Sequence, residues 1–422
     1  MVLNSPRGTS DFYGKELEYR NFIIEKSKRL FERFSYQQIV TPAFEHTEVF
    51  SRSIGEATDI VQKEMYSFRD KKQRSLTLRP EGTAGVVRAV VENKMYADLP
   101  LKLFYEGNMF RYERPQKGRM REFFQIGAEA IGSDDPLMDT EMIWLINDLF
   151  SELGFKDLVL LINSMGCEEC RKDYMEEFKA YLVQRLEKLC PECKKRYDQN
   201  PLRIFDCKNQ ACRVEAEASP KISEHLCKQC YQHFEKITQN LNLLAISFEV
   251  DHSLVRGFDY YTRTVFEVIS RQLESAQNAL GGGGRYDKLV GQFGGPDIPA
   301  IGFAIGTDRT SLLMQQLGIK PLRPKRARSV YLVSMDQKFS SFLVKLLKFF
   351  RKEFKCDTNF NKKNLSTEIK WAEKNDYDFV AIIGEEEFKN LMVTIKDIRK
   401  FKQHTFSWEN EKDKILALLR GN

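Results

Sequence analysis

The sequence predicts an α+β protein: a body built on an antiparallel sheet, a small insertion within it, and a C-terminal α/β unit. Three observations lead there. Leu101–Gly132 holds two strand-like runs, Leu103–Tyr112 and Glu122–Ile131, joined by a basic loop with Pro115 and Gly118, the length and turn chemistry of a long hairpin. Beyond residue 328 strand and helix patterns alternate at lengths that argue for a small mixed or parallel sheet with helices on its faces. Between these, residues 167–240 change composition and hold eight of the nine cysteines. The expected division is a body over 1–320 with the insertion at 167–240, a Pro- and Arg-rich linker at 321–328, and a tail domain at 329–422.

At 422 residues, 42% hydrophobic and 30% charged, the chain has room for two or three globular domains. No 18-residue apolar run appears and the opening MVLNSPRGTSDF carries no apolar signal region, so a cytoplasmic chain without a membrane span is expected. The net charge of +6 is uneven. Of 66 Lys+Arg and 60 Asp+Glu, residues 321–422 carry 22 and 14, a surplus of 8, which leaves 44 against 46 in the first 320. A basic tail on a near-neutral body fits a polyanionic partner or a merely solubilising surface.

In chain order, the polar turn-rich Pro6–Phe12 precedes a helix over Glu16–Phe34, where Leu17, Ile23, Ile24, Leu30 and Phe31 form an apolar stripe of about 3.6-residue period. QQIVTPAFEHTEVF reads as a strand broken by Pro42, an edge or kink marker. In SLTLRPEGTA a turn between strand and helix puts Glu81 and Thr83 near a helix N-terminus. Both residue types cap helices there without any ligand, and Glu81 is equally suited to accept from an ammonium group.

Along the second strand of the hairpin, Phe124, Ile126, Ala128 and Ala130 point one way, toward a core, and Phe123, Gln125, Gly127 and Glu129 the other. In the first strand Tyr105, Gly107, Met109 and Arg111 are in phase. A face with a ring, an amide, a glycine and a carboxylate can hold a ligand, or it can be one wet side of an ordinary hairpin. A helix over Asp139–Leu153 and a short strand over Val159–Asn163 follow.

The cysteines come in close pairs: Cys167 and Cys170, Cys190 and Cys193, Cys207 and Cys212, Cys227 and Cys230. In a cytosolic chain disulfides are not expected. Two-residue spacing is the usual grip for tetrahedral zinc, and four pairs make two sites of four thiolates. With no open position or general base in view, such zinc would be structural; a metal-free remnant is the other reading.

LVRGFDYYTRTVFEVIS is a turn feeding a strand; the adjacent Tyr260 and Tyr261 cannot face the same side of a regular one. NALGGGGRYDKLVGQFGG lets the backbone pass close to a ligand or another strand, and it is no Walker A loop because no Gly-Lys-Ser/Thr follows. Neither Arg285 nor Asp287 is given a catalytic role, nor is any of the five histidines. AIGFAIGTDRTSLL is a glycine-rich strand leading into a helix that carries Arg309. In the tail, SVYLVSM and DFVAIIG read as strands, and Ser340–Lys355 and Leu365–Lys374 as helices.

These strings carry a resemblance over almost the whole chain. FRYERPQKGRMREFFQIGAE resembles the second signature motif of class II aminoacyl-tRNA synthetases in the form used by the histidyl-tRNA synthetase family. The Pro42 segment resembles the first motif, AIGFAIGTDRTSLL the third, LVRGFDYY and GGGRYD the two histidine-specific motifs, and the tail the class IIa anticodon-binding domain. The resemblance implies a class II antiparallel-sheet catalytic domain, tRNA, L-histidine and ATP with Mg²⁺ as partners, and a homodimer formed through the first motif. It implies Arg256 and Arg111 as catalytic, and Arg111, Arg119, Phe123 and Arg309 as ATP-binding. The implied histidine-binding set is Glu81, Gly82, Thr83, Gln125, Glu129, Tyr260 and Tyr261; Glu81, Thr83 and Gln125 face the ammonium, Glu129 and Tyr261 the imidazole nitrogens. Phe258, Lys288, Asp308 and Thr310 depart from the residues usual at their positions, Asp308 replacing a glutamate. Two other readings are a non-catalytic histidyl-synthetase-like regulatory subunit of ATP phosphoribosyltransferase, and a nucleic-acid-binding protein whose zinc module does the main work.

Overall fold

The structure is a computed structural model that describes residues 3–55, 58, 60–116, 118–272, 278–321, 328–360 and 364–421. It divides into two units, Met1–Pro321 and Leu322–Asn422. Of the expected linker, 322–327 lie outside the described residues.

In the first unit the strands are Gln37–Gln38 (β1), Phe44–His46 (β2), Tyr66–Arg69 (β3), Ser75–Leu78 (β4), Leu101–Phe110 (β5), Glu122–Ile131 (β6), Val159–Ser164 (β7), Glu249–Val250 (β8), Thr262–Ile269 (β9), Ala279–Arg285 (β10) and Ala300–Gly306 (β11). Eight of them form one sheet in the order β1-β5-β6-β11-β10-β9-β7-β8. Its pairs are antiparallel except at the two edges, where β1 runs parallel to β5 and β8 to β7. The smaller β2-β4-β3 sheet is antiparallel.

The hairpin sets the register, from Leu101 opposite Ile131 to Phe110 opposite Glu122. Alternation then sorts its side chains. Phe104, Ile126, Ala128 and Ala130 enter a core closed by the helices Gly14–Arg33 and Pro136–Glu152, while Leu103, Tyr105 and Met109 enter a second core on the opposite face. Burying a large apolar side chain on either face stabilises by about 1.5–3 kcal/mol, so slipping the register by one residue would forfeit both faces together.

Several elements differ from expectation for identifiable reasons. The first helix buries Tyr19 and Ser27 along with Ile23, Leu30 and Phe31, whereas Leu17 stays exposed. The segment around Pro42 yields two short strands in different sheets, and from Thr47 to Ile54 the chain is helical, burying Val49, Phe50 and Ile54. The helix expected from Asp139 begins at Pro136, because Asp135 accepts from the Leu137 amide at 2.8 Å and Pro136 lacks the amide a first turn leaves unpaired. Residues 167–240 are mostly short helices, among them Pro191–Gln199 and Gln210–Glu217, around a core of Tyr174, Phe178, Leu182, Leu189 and Ile204.

One polar cluster lies inside the first core. Asp139 is fully buried; it accepts from Arg285 Nε at 3.1 Å and from the Arg285 terminus, and pairs with His233 Nε2 at 3.1 Å. His233 belongs to Lys228–Leu243, the last helix of the insertion. Burial alone would raise the Asp139 pKa, but Arg285 and His233 hold it below the ordinary carboxylate value.

The second unit has Ser329–Ser334 (β12), Lys355–Thr358 (β13), Phe379–Ile383 (β14), Met392–Asp397 (β15) and Lys402–Ser407 (β16) in the order β13-β12-β14-β15-β16. β12 is parallel to β13 and β14, and the remaining pairs are antiparallel, giving a mixed sheet. The helix expected over Ser340–Lys355 stops at Phe350, since Lys355 already starts β13. Among the described residues no helix is long and apolar enough to cross a membrane.

Asp139→Asn is expected to cost about 3–5 kcal/mol in equilibrium urea unfolding, because it strands a buried guanidinium. The depressed pKa also fixes a direction. Asp139's contribution is complete above the unfolded carboxylate pKa of about 4 and is lost as pH falls through the lower folded value, so acid unfolding of the wild type should show a step that the variant lacks.

Candidate active site

On the second face of the large sheet lies a cavity of about 920 Å³. Its lining brings together Glu81, Thr83, Arg111, Arg119, Phe123, Gln125, Arg256, Tyr260, Tyr261 and Arg309, residues that the sequence spreads over more than two hundred positions. Gly82 and Glu129 are not in the lining.

At one end the polar groups are acidic. Glu81 is buried and accepts from the amides of Thr83 at 2.6 Å and Ala84 at 2.8 Å, so it caps the helix Thr83–Glu92 while its carboxylate borders the cavity. Burial raises its pKa. Glu129 is fully buried behind the lining, accepting from Thr83 Oγ1 at 2.7 Å and from the Tyr286 hydroxyl at 2.5 Å. Burial pushes it up to about 8; the two hydrogen bonds oppose this and the charge of Glu81 adds to it. Glu129 fits because β11 offers Gly302 opposite it, where a Cβ would stand 1.6 Å from Glu129 Oε2. Gly82 and Gly127 make room in the same way, since a Cβ at Gly82 would stand 2.1 Å from the Tyr105 ring and one at Gly127 2.4 Å from it. The two glycines make a slot for Tyr105. Gln125 Oε1 is buried with no hydrogen-bond partner among the described residues.

Tyr260 and Tyr261 both line the cavity, with ring centroids 4.7 Å apart. The alternation that would send them to opposite sides does not operate, because β9 begins at Thr262 and both tyrosines precede it in irregular backbone. Phe258 stacks on Tyr260 at 5.2 Å.

The other end is basic, and each guanidinium there is already held. Arg256 pairs with Glu267 on β9. Burial would lower its pKa, yet Glu267 and the tyrosine hydroxyls hold it above the ordinary value. Arg111 donates through Nε to the Pro80 carbonyl at 2.9 Å and lies 5.3 Å from the Phe123 ring centroid. Arg119 pairs with the buried Glu113, and Arg309 donates to the Ala279 carbonyl. Burial and the neighbouring Arg119 lower the Arg309 pKa, a sign of cations crowded together. Asp308 is engaged at both oxygens, by Arg20 at 2.7 Å and by the Phe124 amide at 3.1 Å. Held cations around an open volume can bind a polyanion and stabilise negative charge that develops at its centre.

Four contributors escape sequence reasoning. Tyr286 and Glu267 line the cavity; Glu267, the one carboxylate of its strand and set among Val265, Phe266, Val268 and Ile269, was the available signal. Tyr105 was legible as a phase but not as a slot filler. The insertion contributes Phe205, Asp206, Cys207, Lys208 and Arg213, for which no local pattern exists.

The cysteines also assemble. Sγ atoms of Cys167, Cys170, Cys227 and Cys230 lie within 4.8 Å of one another, and so do those of Cys190, Cys193, Cys207 and Cys212. All eight are free thiols.

Compared with known proteins, residues 8–310 match the family model described as Histidyl-tRNA synthetase and residues 329–418 the one described as Anticodon binding domain. Histidine–tRNA ligase of Clostridioides difficile (strain 630) is 44% identical over 408 residues, covering 96% of this chain and 97% of its own. That of Aquifex aeolicus is 43% identical over 405 residues, 96% and 98% of the two chains. The apo Staphylococcus aureus histidyl-tRNA synthetase structure superposes with a TM-score of 0.82 at 32% identity, over 100% of this chain and 99% of that one. A Bacillus halodurans structure named as an ATP phosphoribosyltransferase regulatory subunit/histidyl-tRNA synthetase (TM-score 0.63, 21% identity, 90% and 98% covered) shares the fold.

The raised Glu129 pKa has a measurable sign. The stability that its neutral form contributes is fully present below the unfolded pKa of about 4.3 and is lost as pH rises through about 8. Between pH 5 and about 8.5 the melting temperature of the wild type should therefore fall relative to that of Glu129→Gln. Parallel profiles would contradict the burial argument.

Proposed function

This chain belongs to the histidyl-tRNA synthetase family and is an aminoacyl-tRNA ligase that charges tRNA with histidine; from that premise we propose how its residues do so. The histidine carboxylate attacks the α-phosphorus of ATP, forming histidyl-adenylate and releasing pyrophosphate. The terminal ribose hydroxyl of the tRNA then attacks the acyl carbon and AMP leaves. A carboxylate is already an anion at neutral pH, so no side-chain nucleophile is needed. What is needed is fixed positive charge around the phosphorus.

Arg256 and Arg111 supply that charge, with Arg309 and Arg119 on the ATP phosphates and Phe123 against the adenine. Glu81, Thr83 and Gln125 take the ammonium of histidine, with Gly82 leaving room for the Tyr105 ring beneath them; the unpartnered Gln125 Oε1 is the observation that carries this reading. Tyr260 and Tyr261 close on the imidazole. Glu129 reads it once Thr83 or Tyr286 yields one of the carboxylate oxygens they now occupy. Polar pockets of this kind reject apolar analogues by roughly 10⁴-fold or more.

The family uses ATP with Mg²⁺, a hard cation that takes carboxylate oxygen. Glu267 borders the cavity with one oxygen on Arg256 and would take the ion through the other, whereas Glu113 lies between Arg119 and Arg111 and both Asp308 oxygens are committed. The ion would neutralise charge on the departing pyrophosphate. Each group of four thiols would hold one structural zinc; free cysteines in close pairs suit a reducing cytoplasm, where we place the protein. Residues 1–320 form the catalytic domain with the insertion at 167–240, and 329–422 the anticodon-binding domain. A homodimer through the first-motif segment is supported by the exposed Val40, Phe44 and Phe68, of which the two rings pack on each other. The regulatory-subunit reading is weaker, since this chain keeps Arg256, Tyr260 and the tail.

Arg256→Ala should retain histidine binding and lose at least about 10²-fold in histidine-dependent ATP–pyrophosphate exchange; a near-normal rate would remove Arg256 from the mechanism. A chain ending at Lys320 should still form adenylate but charge tRNA poorly, and the difference from the full chain should shrink as salt rises.

A further inference from the structure

The insertion reaches the chemistry. Its loop Phe205–Lys208, with Arg213, borders the same cavity as Arg256 and Glu267. Cys207 sits in the middle of that loop and is buried in the insertion's own core beside Cys193 and Cys212. The sulfurs of Cys190 and Cys207 are 3.8 Å apart, close to the edge of a tetrahedron with zinc–sulfur bonds of about 2.3 Å. Backbone amides already point at this group. Cys190 N donates to Cys212 Sγ at 3.1 Å, and Cys193 N and Asn209 N donate to Cys190 Sγ and Cys207 Sγ, each at 3.4 Å. Such donors orient and stabilise thiolate ligands.

Two tethers lead from the insertion to the segment that carries Arg256, Tyr260 and Tyr261. Asn200 Nδ2 donates to Asp259 Oδ1 at 2.7 Å, and the Arg171 guanidinium donates to the Tyr261 carbonyl. That segment is irregular, neither strand nor helix, so its conformation depends on what grips it from outside. Asn200 lies midway between Cys193 and Cys207, at the end of the short helix Pro191–Gln199.

We propose that one zinc ion held by Cys190, Cys193, Cys207 and Cys212 fixes the Asn200–Lys208 stretch as a wall of the cavity, so that zinc occupancy sets how tightly ATP and histidine bind although the metal touches neither. With four protein ligands the ion has no open position, and Asn200 is a positioning residue acting through Asp259. The proposal rests on the reading of this cavity as the histidine-activating site.

Full-length protein purified without chelator should carry two zinc ions per chain by elemental analysis, one per thiol group, and Cys212→Ser one. In pyrophosphate exchange Cys212→Ser should raise the KM for ATP and for histidine by at least about tenfold, with kcat changed by less than about threefold. Asn200→Ala should keep both ions yet shift the same KM values in the same direction, which loss of the insertion's fold would not explain. If Cys212→Ser cannot be recovered, zinc drawn from the wild type by a chelator under reducing conditions should raise these KM values, and added zinc should restore them. A wild-type chain without zinc, or zinc loss with unchanged KM, overturns the proposal. A chain that holds zinc but exchanges no pyrophosphate with histidine overturns the reading of the cavity instead.

Discussion

Asp139 is the charge on which the first unit is hung. A lone carboxylate in that core would cost several kcal/mol, and it is tolerated only because Arg285 and His233 meet it there. Three parts of the chain converge on it: the helix that follows the hairpin, the end of the glycine strand β10, and the last helix of the insertion. The consequence reaches the cavity within one residue. With Arg285 turned into the core, Tyr286 next to it turns the other way, and its hydroxyl meets Glu129. The pair that locks the sheet thus also orients a buried carboxylate at the acidic end of the site.

The cavity is electrically divided before any ligand arrives. At one end Glu81 borders the cavity and Glu129 lies buried behind it; burial raises both pKa values, and Glu129, pushed up to about 8, is neutral at pH 7. At the other, four guanidiniums are pinned by Glu267, Glu113 and the carbonyls of Pro80 and Ala279. On the proposed reading, a zwitterionic amino acid and a polyphosphate would each find one matching end, and the junction between the ends is where a carboxylate and a phosphorus would meet. Because the cations are held by the fold, no reorganisation is needed when charge develops between them.

What the sequence revealed and concealed follows from the range of the forces involved. The hairpin was legible on both faces because strict alternation is a local rule, whereas the roles of its motif residues came from the resemblance and not from their phase. Helix ends were displaced by the caps at Asp135 and Pro136, which act one turn ahead of the apolar pattern. Tyr260 and Tyr261 were set against each other by a strand rule that does not reach them, since β9 starts one residue later. The concealment of Glu129 depends on Gly302, and the engagement of Asp308 on Arg20, partners brought close only by the folded sheet. No periodicity announces that a loop inside a cysteine-rich insertion will border a catalytic cavity.

The insertion shows why thiols in pairs belong there. Its helices Pro191–Gln199 and Gln210–Glu217 have nine and eight residues, too short to persist alone in water, and its core is one aromatic stack with a few aliphatic neighbours. Cys190 and Cys227 each stand at the N-cap of a helix, where backbone amides and the positive end of the helix dipole favour a thiolate over a thiol. A cation that gathers such thiolates stabilises the helix starts and the turns between them together, which a core this small could not do by burial. Stiffness gained from the proposed zinc would be delivered at the loops that carry the thiols, and one of those loops borders the cavity.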